Sequence, residues 1–127
     1  MNNRYEISID GLEVKDHQTD LIWQGNINKK IFTFDDALNY TSSINKNTCG
    51  SPWRVPSIHE LQSLLDYSKY NPTSTFPMPK DNLDPVWTSS LYAGDPNYAW
   101  IIIFYNGYID LRERNSKFAI RLVRDFV

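Results

Sequence analysis

The sequence predicts an α+β domain in which two short helices pack on a mainly antiparallel twisted sheet, with a long loop region between the helices and the last strands. Three observations carry that prediction. Helical spacing of apolar residues is confined to the first half, Pro, Asn, Ser and Thr crowd residues 67–85, and the last third is a series of β-type segments around Asn106-Gly107.

The elements follow in order. Tyr5–Ile9 and Leu21–Gln24 are read as a first strand pair. Thr33 precedes Phe34, Ala37, Leu38, Thr41 and Ile44 at three- and four-residue spacings, with Asp35 and Asp36 in the first turn where the helix dipole favours negative charge. This predicts a helix over about 34–44. Ser57 and Glu60 have the spacing of a capping box and Leu61, Leu64 and Leu65 form an apolar stripe, which predicts a second helix over about 58–66. Pro72, Pro77, Pro79 and Pro85 then remove backbone donors and fix turns, so 67–85 is read as a long loop of functional interest.

Four strands are expected next: Val86–Tyr92, Ala99–Tyr105, Tyr108–Arg114 and Phe118–Arg124. The run AWIIIFY is apolar on both faces and belongs in the middle of the sheet. In the next segment Ile109 and Leu111 alternate with Asp110, Arg112 and Arg114, so one face meets solvent. Asn106-Gly107 between them reads as a type I′ turn, which needs positive φ at both positions.

Composition limits function. With 127 residues, 41% of them hydrophobic, residues 1–127 form a single domain with a real core. Thirteen Lys plus Arg against fifteen Asp plus Glu give a net charge of -2, so no positive field suits nucleic acid, and none is expected as a partner. The apolar run Ala99–Tyr105 is too short for a membrane-spanning helix, so a soluble domain without membrane insertion is expected. Residues 1–10 lack the pattern of a secretory signal, which makes the chain as given cytoplasmic, or secreted or surface-exposed if a leader has been trimmed or export is non-classical. The single Cys49 implies neither a disulfide nor a metal cluster and is read as an inert thiol.

The same residues argue against catalysis. His17 and His59 have no ligand-type spacing, and His59 is read as a solvent-facing residue beside the capping box. Asp16 and Asp20, like Asp81 and Asp84, are read as surface turns, since no calcium-loop pattern surrounds them. No phosphate-cradling glycine loop, nucleophile elbow or carboxylate pair is recognisable. The expectation is a non-enzyme with no cofactor, metal or catalytic residue. What the surface offers instead is binding chemistry: Tyr92, Asp95, Asn97 and Tyr98 around one turn, and Tyr108, Asp110, Arg112, Arg114, Asn115 and Lys117 along a hairpin. Tyr and Arg recur at recognition surfaces because they combine contact area with directed hydrogen bonds.

Three blocks, EVKDHQTDLIWQG, WRVPSIHELQSLLDYSKYNP and FP…VWTSS…YAWIIIFYNG…IRLVR, together resemble the domain at the C-terminus of the Legionella collagen-like adhesin, over about Glu13 to Arg124. The resemblance implies a C-type-lectin-like fold in which first and last strands pair and the termini lie close together. It implies core roles for Trp23, Trp53, Trp87 and Trp100 and a capping role for Ser57. Thr19-Asp20 stands where that family commonly has Thr-Gly, so Asp must serve the turn. The sugar-binding signatures of calcium-dependent lectins are missing, and calcium-mediated recognition is therefore not implied. The leading expectation is a recognition module for a protein partner, of inhibitor, immunity or phage and secretion-apparatus type. The alternative is an adhesin-type domain for acidic or sulfated glycans, with an enzyme of unknown type as the third reading. Oligomeric state is left open.

Overall fold

The computed structural model describes residues 4–25, 30–46, 50–78 and 83–126. Seven strands and two helices follow in the order β1 (Tyr5–Ile7), β2 (Glu13–Asp16), β3 (Leu21–Gln24), α1 (Phe34–Asn45), α2 (Ile58–Gln62), β4 (Val86–Tyr92), β5 (Asp95–Ile103), β6 (Tyr108–Glu113) and β7 (Val123–Asp125). They form two antiparallel sheets, ordered β1-β2-β3-β7 and β4-β5-β6, so the α+β class stands while the expected single sheet is replaced by two.

The reason lies in the segment expected as one strand over Phe118–Arg124. Phe118 bridges Phe32, Ala119 bridges Val86, and only Val123–Asp125 enters a sheet, beside β3. Side chains of this connecting run alternate between two cores. Ala119 and Val123 join a first core with Val14, Trp23, Leu61, Leu64, Phe76, Ile102 and Phe104. Ile120 and Leu122 join a second with Phe34, Ala37, Val55, Trp87, Ala99 and Ile101. The period of two thus serves a seam between layers. Arg121, on the first side of the seam, is almost wholly buried and lies over the Phe76 ring. Its guanidinium donates to the Gln24 and Gly25 carbonyls, and burial pushes its pKa down to about 10.

Other boundaries shift for local reasons. Tyr5–Ile7 does not pair with Leu21–Gln24, because β2 inserts between them. The first and last strands do not pair either, since β7 lies beside β3 and β1 occupies the opposite edge of that sheet. Asp16 is no surface turn. Its buried carboxylate takes two hydrogen bonds from Arg4 and one each from the Gln18 N–H and the Thr19 hydroxyl. Asp20 serves the adjacent turn at φ 58°, the conformation glycine would otherwise supply.

Thr33 caps α1 by accepting from the Asp36 N–H, and both arms of the Ser57/Glu60 capping box are present on α2. α2 ends at Gln62 instead of about 66 because Leu65 pairs with Ser74 of the following loop. His59 is exposed, and Cys49 and Asp81 fall outside the described residues. Trp23 and Trp87 are fully buried, whereas Trp53 and Trp100 are only half-buried. β5 is the central strand of its sheet, with Ile101 and Ile102 buried on opposite faces.

The β5–β6 hairpin forms, but with a different turn. Ile103 pairs with Tyr108, leaving a four-residue connection in which Gly107 alone takes positive φ, at 77°. A two-residue turn would have placed Phe104 in the ladder. Phe104 instead lies outside the ladder, with its side chain in the first core and its carbonyl accepting from the Thr73 N–H at 2.8 Å.

Candidate binding groove

The ladder between β5 and β6 sets Tyr98 opposite Glu113, and the Arg114 N–H extends it by donating to the Asn97 carbonyl at 2.9 Å. The start of α1 closes on this end of the hairpin, because the Phe34 N–H donates to the Arg114 carbonyl at 3.0 Å. The Arg114 side chain completes the joint. Its guanidinium lies 4.9 Å from the Phe34 ring centroid and donates to Asp35 Oδ1 and, at 3.3 Å, to the Pro96 carbonyl.

A groove of about 700 Å³ opens between these elements. Asp95, Asn97 and Tyr98 line it from β5, Glu113, Arg114 and Asn115 from the end of β6, and Thr33 and Asp35 from the start of α1. Asp95, Asn97 and Tyr98, expected in a turn, lie in the first residues of β5, where the Asp95 carboxylate accepts from the Asn97 N–H at 3.0 Å. Asp35, Asp95 and Glu113 outnumber Arg114, whose charge is already opposed by Asp35. The groove is therefore acidic, with amide and phenol groups beside the carboxylates.

Of the expected site residues, the fold brings Asp95, Asn97, Tyr98, Arg114 and Asn115 together here. Tyr92 lies apart, its ring perpendicular to Trp100 at 5.8 Å and folded over Gly94, where a Cβ would come within 2.7 Å of that ring. Asp110 and Arg112 pair with each other along β6 at 2.6 Å. The Arg112 hydrogen bond, with the Leu111 N–H, holds the Asp110 carboxyl below its ordinary value. Tyr108 sits at the other end of the hairpin, and Lys117 is exposed beyond β6, outside the groove. Thr33, Asp35 and Glu113 were not expected. Asp35 and Thr33 have a sufficient explanation as helix-start residues, and only the contact of α1 with the hairpin end turns them towards a shared groove.

Among the described residues no group of three or more His, Cys, Asp or Glu is arranged to hold a metal ion. No described helix is long and apolar enough to cross a membrane.

Residues 12–124 match the model of the Lcl C-terminal domain family. The chain belongs to that family. As an Lcl C-terminal domain it is tied to adhesin-like bacterial proteins and is compatible with a binding module. The matched span includes every residue of the groove and leaves out β1. No curated protein matches the chain.

Proposed function

We propose that this Lcl C-terminal domain is a non-catalytic recognition module and that the groove between α1 and the β5–β6 hairpin receives a basic segment of a protein partner. The observation that carries this reading is the charge of the groove: Asp35 and Arg114 pair with each other, which leaves the carboxylates of Asp95 and Glu113 uncompensated by the lining. A Lys or Arg side chain would find carboxylates there, and a backbone would find the Asn97 and Asn115 amides. The groove walls belong to a paired ladder and a capped helix, so the surface is preformed. A C-type-lectin-like scaffold remains part of the reading as the frame that presents it.

Acidic or sulfated glycans fit less well. Of Arg112, Arg114 and Lys117, the cations that would receive them, the two arginines are ion-paired with Asp110 and Asp35, and Lys117 lies outside the groove. The test is affinity capture from native cells with the tagged chain and with a D95N/E113Q variant, read by mass spectrometry. A stoichiometric protein captured by the parent chain and lost with the variant supports the reading. Equal capture by both chains, or capture that only R112A abolishes, contradicts it.

A further inference from the structure

The opposite end of the same hairpin carries a surface of different chemistry. After α2, residues 66–74 fold back so that the Asp66 N–H donates to the Thr73 carbonyl at 2.9 Å. This loop then docks on the hairpin connection through the Asn71 N–H to the Tyr105 carbonyl (3.1 Å) and the Thr73 N–H to the Phe104 carbonyl (2.8 Å). Phe104 and Thr73 are buried beneath, which anchors both loops to the core.

Around that anchor lie Tyr67, Tyr70 and Tyr105, with Tyr108 following Gly107 at the start of β6; they are exposed to 71%, 68%, 44% and 66% and are half of the eight tyrosines in the chain. Three of them are held in place by their hydroxyls. Tyr70 donates to the Tyr105 hydroxyl at 2.7 Å, with the two rings edge to face 5.3 Å apart. Tyr67 donates to the Gly107 carbonyl at 3.1 Å. Gly107 makes room for that ring, since a Cβ there would lie 2.9 Å from Tyr67 Cε1 and from Thr73 Cγ2.

We infer that this tyrosine platform is a binding site for an uncharged saccharide. A tyrosine fixed at its hydroxyl and open at its ring offers a rigid apolar face with a polar rim, and little rotamer freedom remains to be lost on binding. A pyranose ring has the matching anatomy, a C–H face bordered by hydroxyls. Asn71 is exposed in the docked loop, and Asn106 fixes the start of β6, its Oδ1 accepting from the Tyr108 N–H at 3.1 Å. The two loops expose no Leu, Ile, Val, Met or Phe, the side chains that would fill a protein hot spot between aromatic anchors. Their only charged residues are Asp66 and Lys69, one of each sign, so no net field selects a polyanion or a basic peptide.

The test is an NMR titration of the full chain, labelled in its tyrosine rings. The probes are neutral tetrasaccharides built from glucose, galactose, mannose or N-acetylglucosamine, a sulfated tetrasaccharide, and an oligolysine peptide. At least one neutral sugar is expected to shift the Tyr70, Tyr105 and Tyr108 ring signals at concentrations up to about 10 mM. Y108A, which leaves the Tyr70–Tyr105 pair intact, should weaken that binding about fivefold. Y70F, which removes only the hydroxyl bridge, should weaken it less, and D95N should leave it unchanged. Rings silent to every neutral sugar, or responding only to the sulfated sugar or to the peptide, would overturn the inference.

Discussion

The two ends of the β5–β6 hairpin share strands and differ in how their side chains are held. At the Asp95/Glu113 end the start of α1 closes the surface, an ion pair and a stacked guanidinium fix it, and carboxylates face the groove. At the Tyr105/Tyr108 end a loop closes the surface, backbone and phenol hydrogen bonds fix it, and charge is nearly absent. One rigid ladder can therefore present two surfaces, of which only the first should respond strongly to salt.

The largest expected effect removes both ends together and serves as the control for the comparison. Asp16 and Arg4 lock β2 to the residues before β1 and, through the Ser63 carbonyl, to the end of α2. Asp16→Ala removes the countercharge and two hydrogen bonds from the partly buried Arg4 guanidinium and should cost about 3 kcal/mol in urea unfolding. The same site sets an acid response. Burial pushes the Asp16 carboxyl up, but hydrogen bonds from Arg4, the Gln18 N–H and the Thr19 hydroxyl outweigh it and hold the group below its ordinary value. Its folded pKa being depressed, Asp16 stabilises fully above the unfolded value of about 3.9, and this contribution fades as pH falls through the lower folded value. Thermal melts of the parent chain should lose stability over that acid range faster than melts of Asp16→Asn. Parallel curves would refute the assignment.

The next effect separates the ends. Gly107→Ala meets both a positive φ of 77° and the Tyr67 ring, and should cost about 1–2 kcal/mol while moving the Tyr67 signals. Backbone amides of Asp95, Asn97 and Glu113 should stay in place. If they move as far as the ring signals, the two ends are one coupled surface.

The smallest effects concern the two arginines that look equivalent in the alternating segment YIDLRER. Arg114→Ala removes the stack on Phe34 and the pair with Asp35, and should cost about 1 kcal/mol, lowering Tm by about 2–8 °C. Arg112→Ala, which loses an exposed pair with Asp110 and a hydrogen bond to the adjacent Leu111 carbonyl, both within β6, should stay within about 0.5 kcal/mol. Equal losses would remove the strut role assigned to Arg114.

Much of this was legible in local pattern. The caps at Thr33 and Ser57, the doubly buried β5 and the presence of the hairpin all follow from residue spacing, because neighbours within a few residues decide them. Five of the groove residues were also readable, since a polar turn and an alternating strand must share one end of a hairpin. The rest depended on distant partners. β2 was hidden by its short, charged sequence EVKD, and Asp16 looks like a turn residue until Arg4 folds over it. Tyr67, Tyr70 and Tyr105 sit in segments without a period, and only the hydrogen bonds between two loops gather them.

Amide NMR of the labelled chain, with an oligolysine peptide and a sulfated tetrasaccharide added in turn, tests whether the groove is an acidic receptor. The peptide should shift Asp95, Asn97, Glu113 and Asn115, the shifts should vanish in about 0.5 M salt, and the sulfated sugar should leave these residues unmoved. Shifts at the same residues from the sulfated sugar, with none from the peptide, would contradict an acidic receptor.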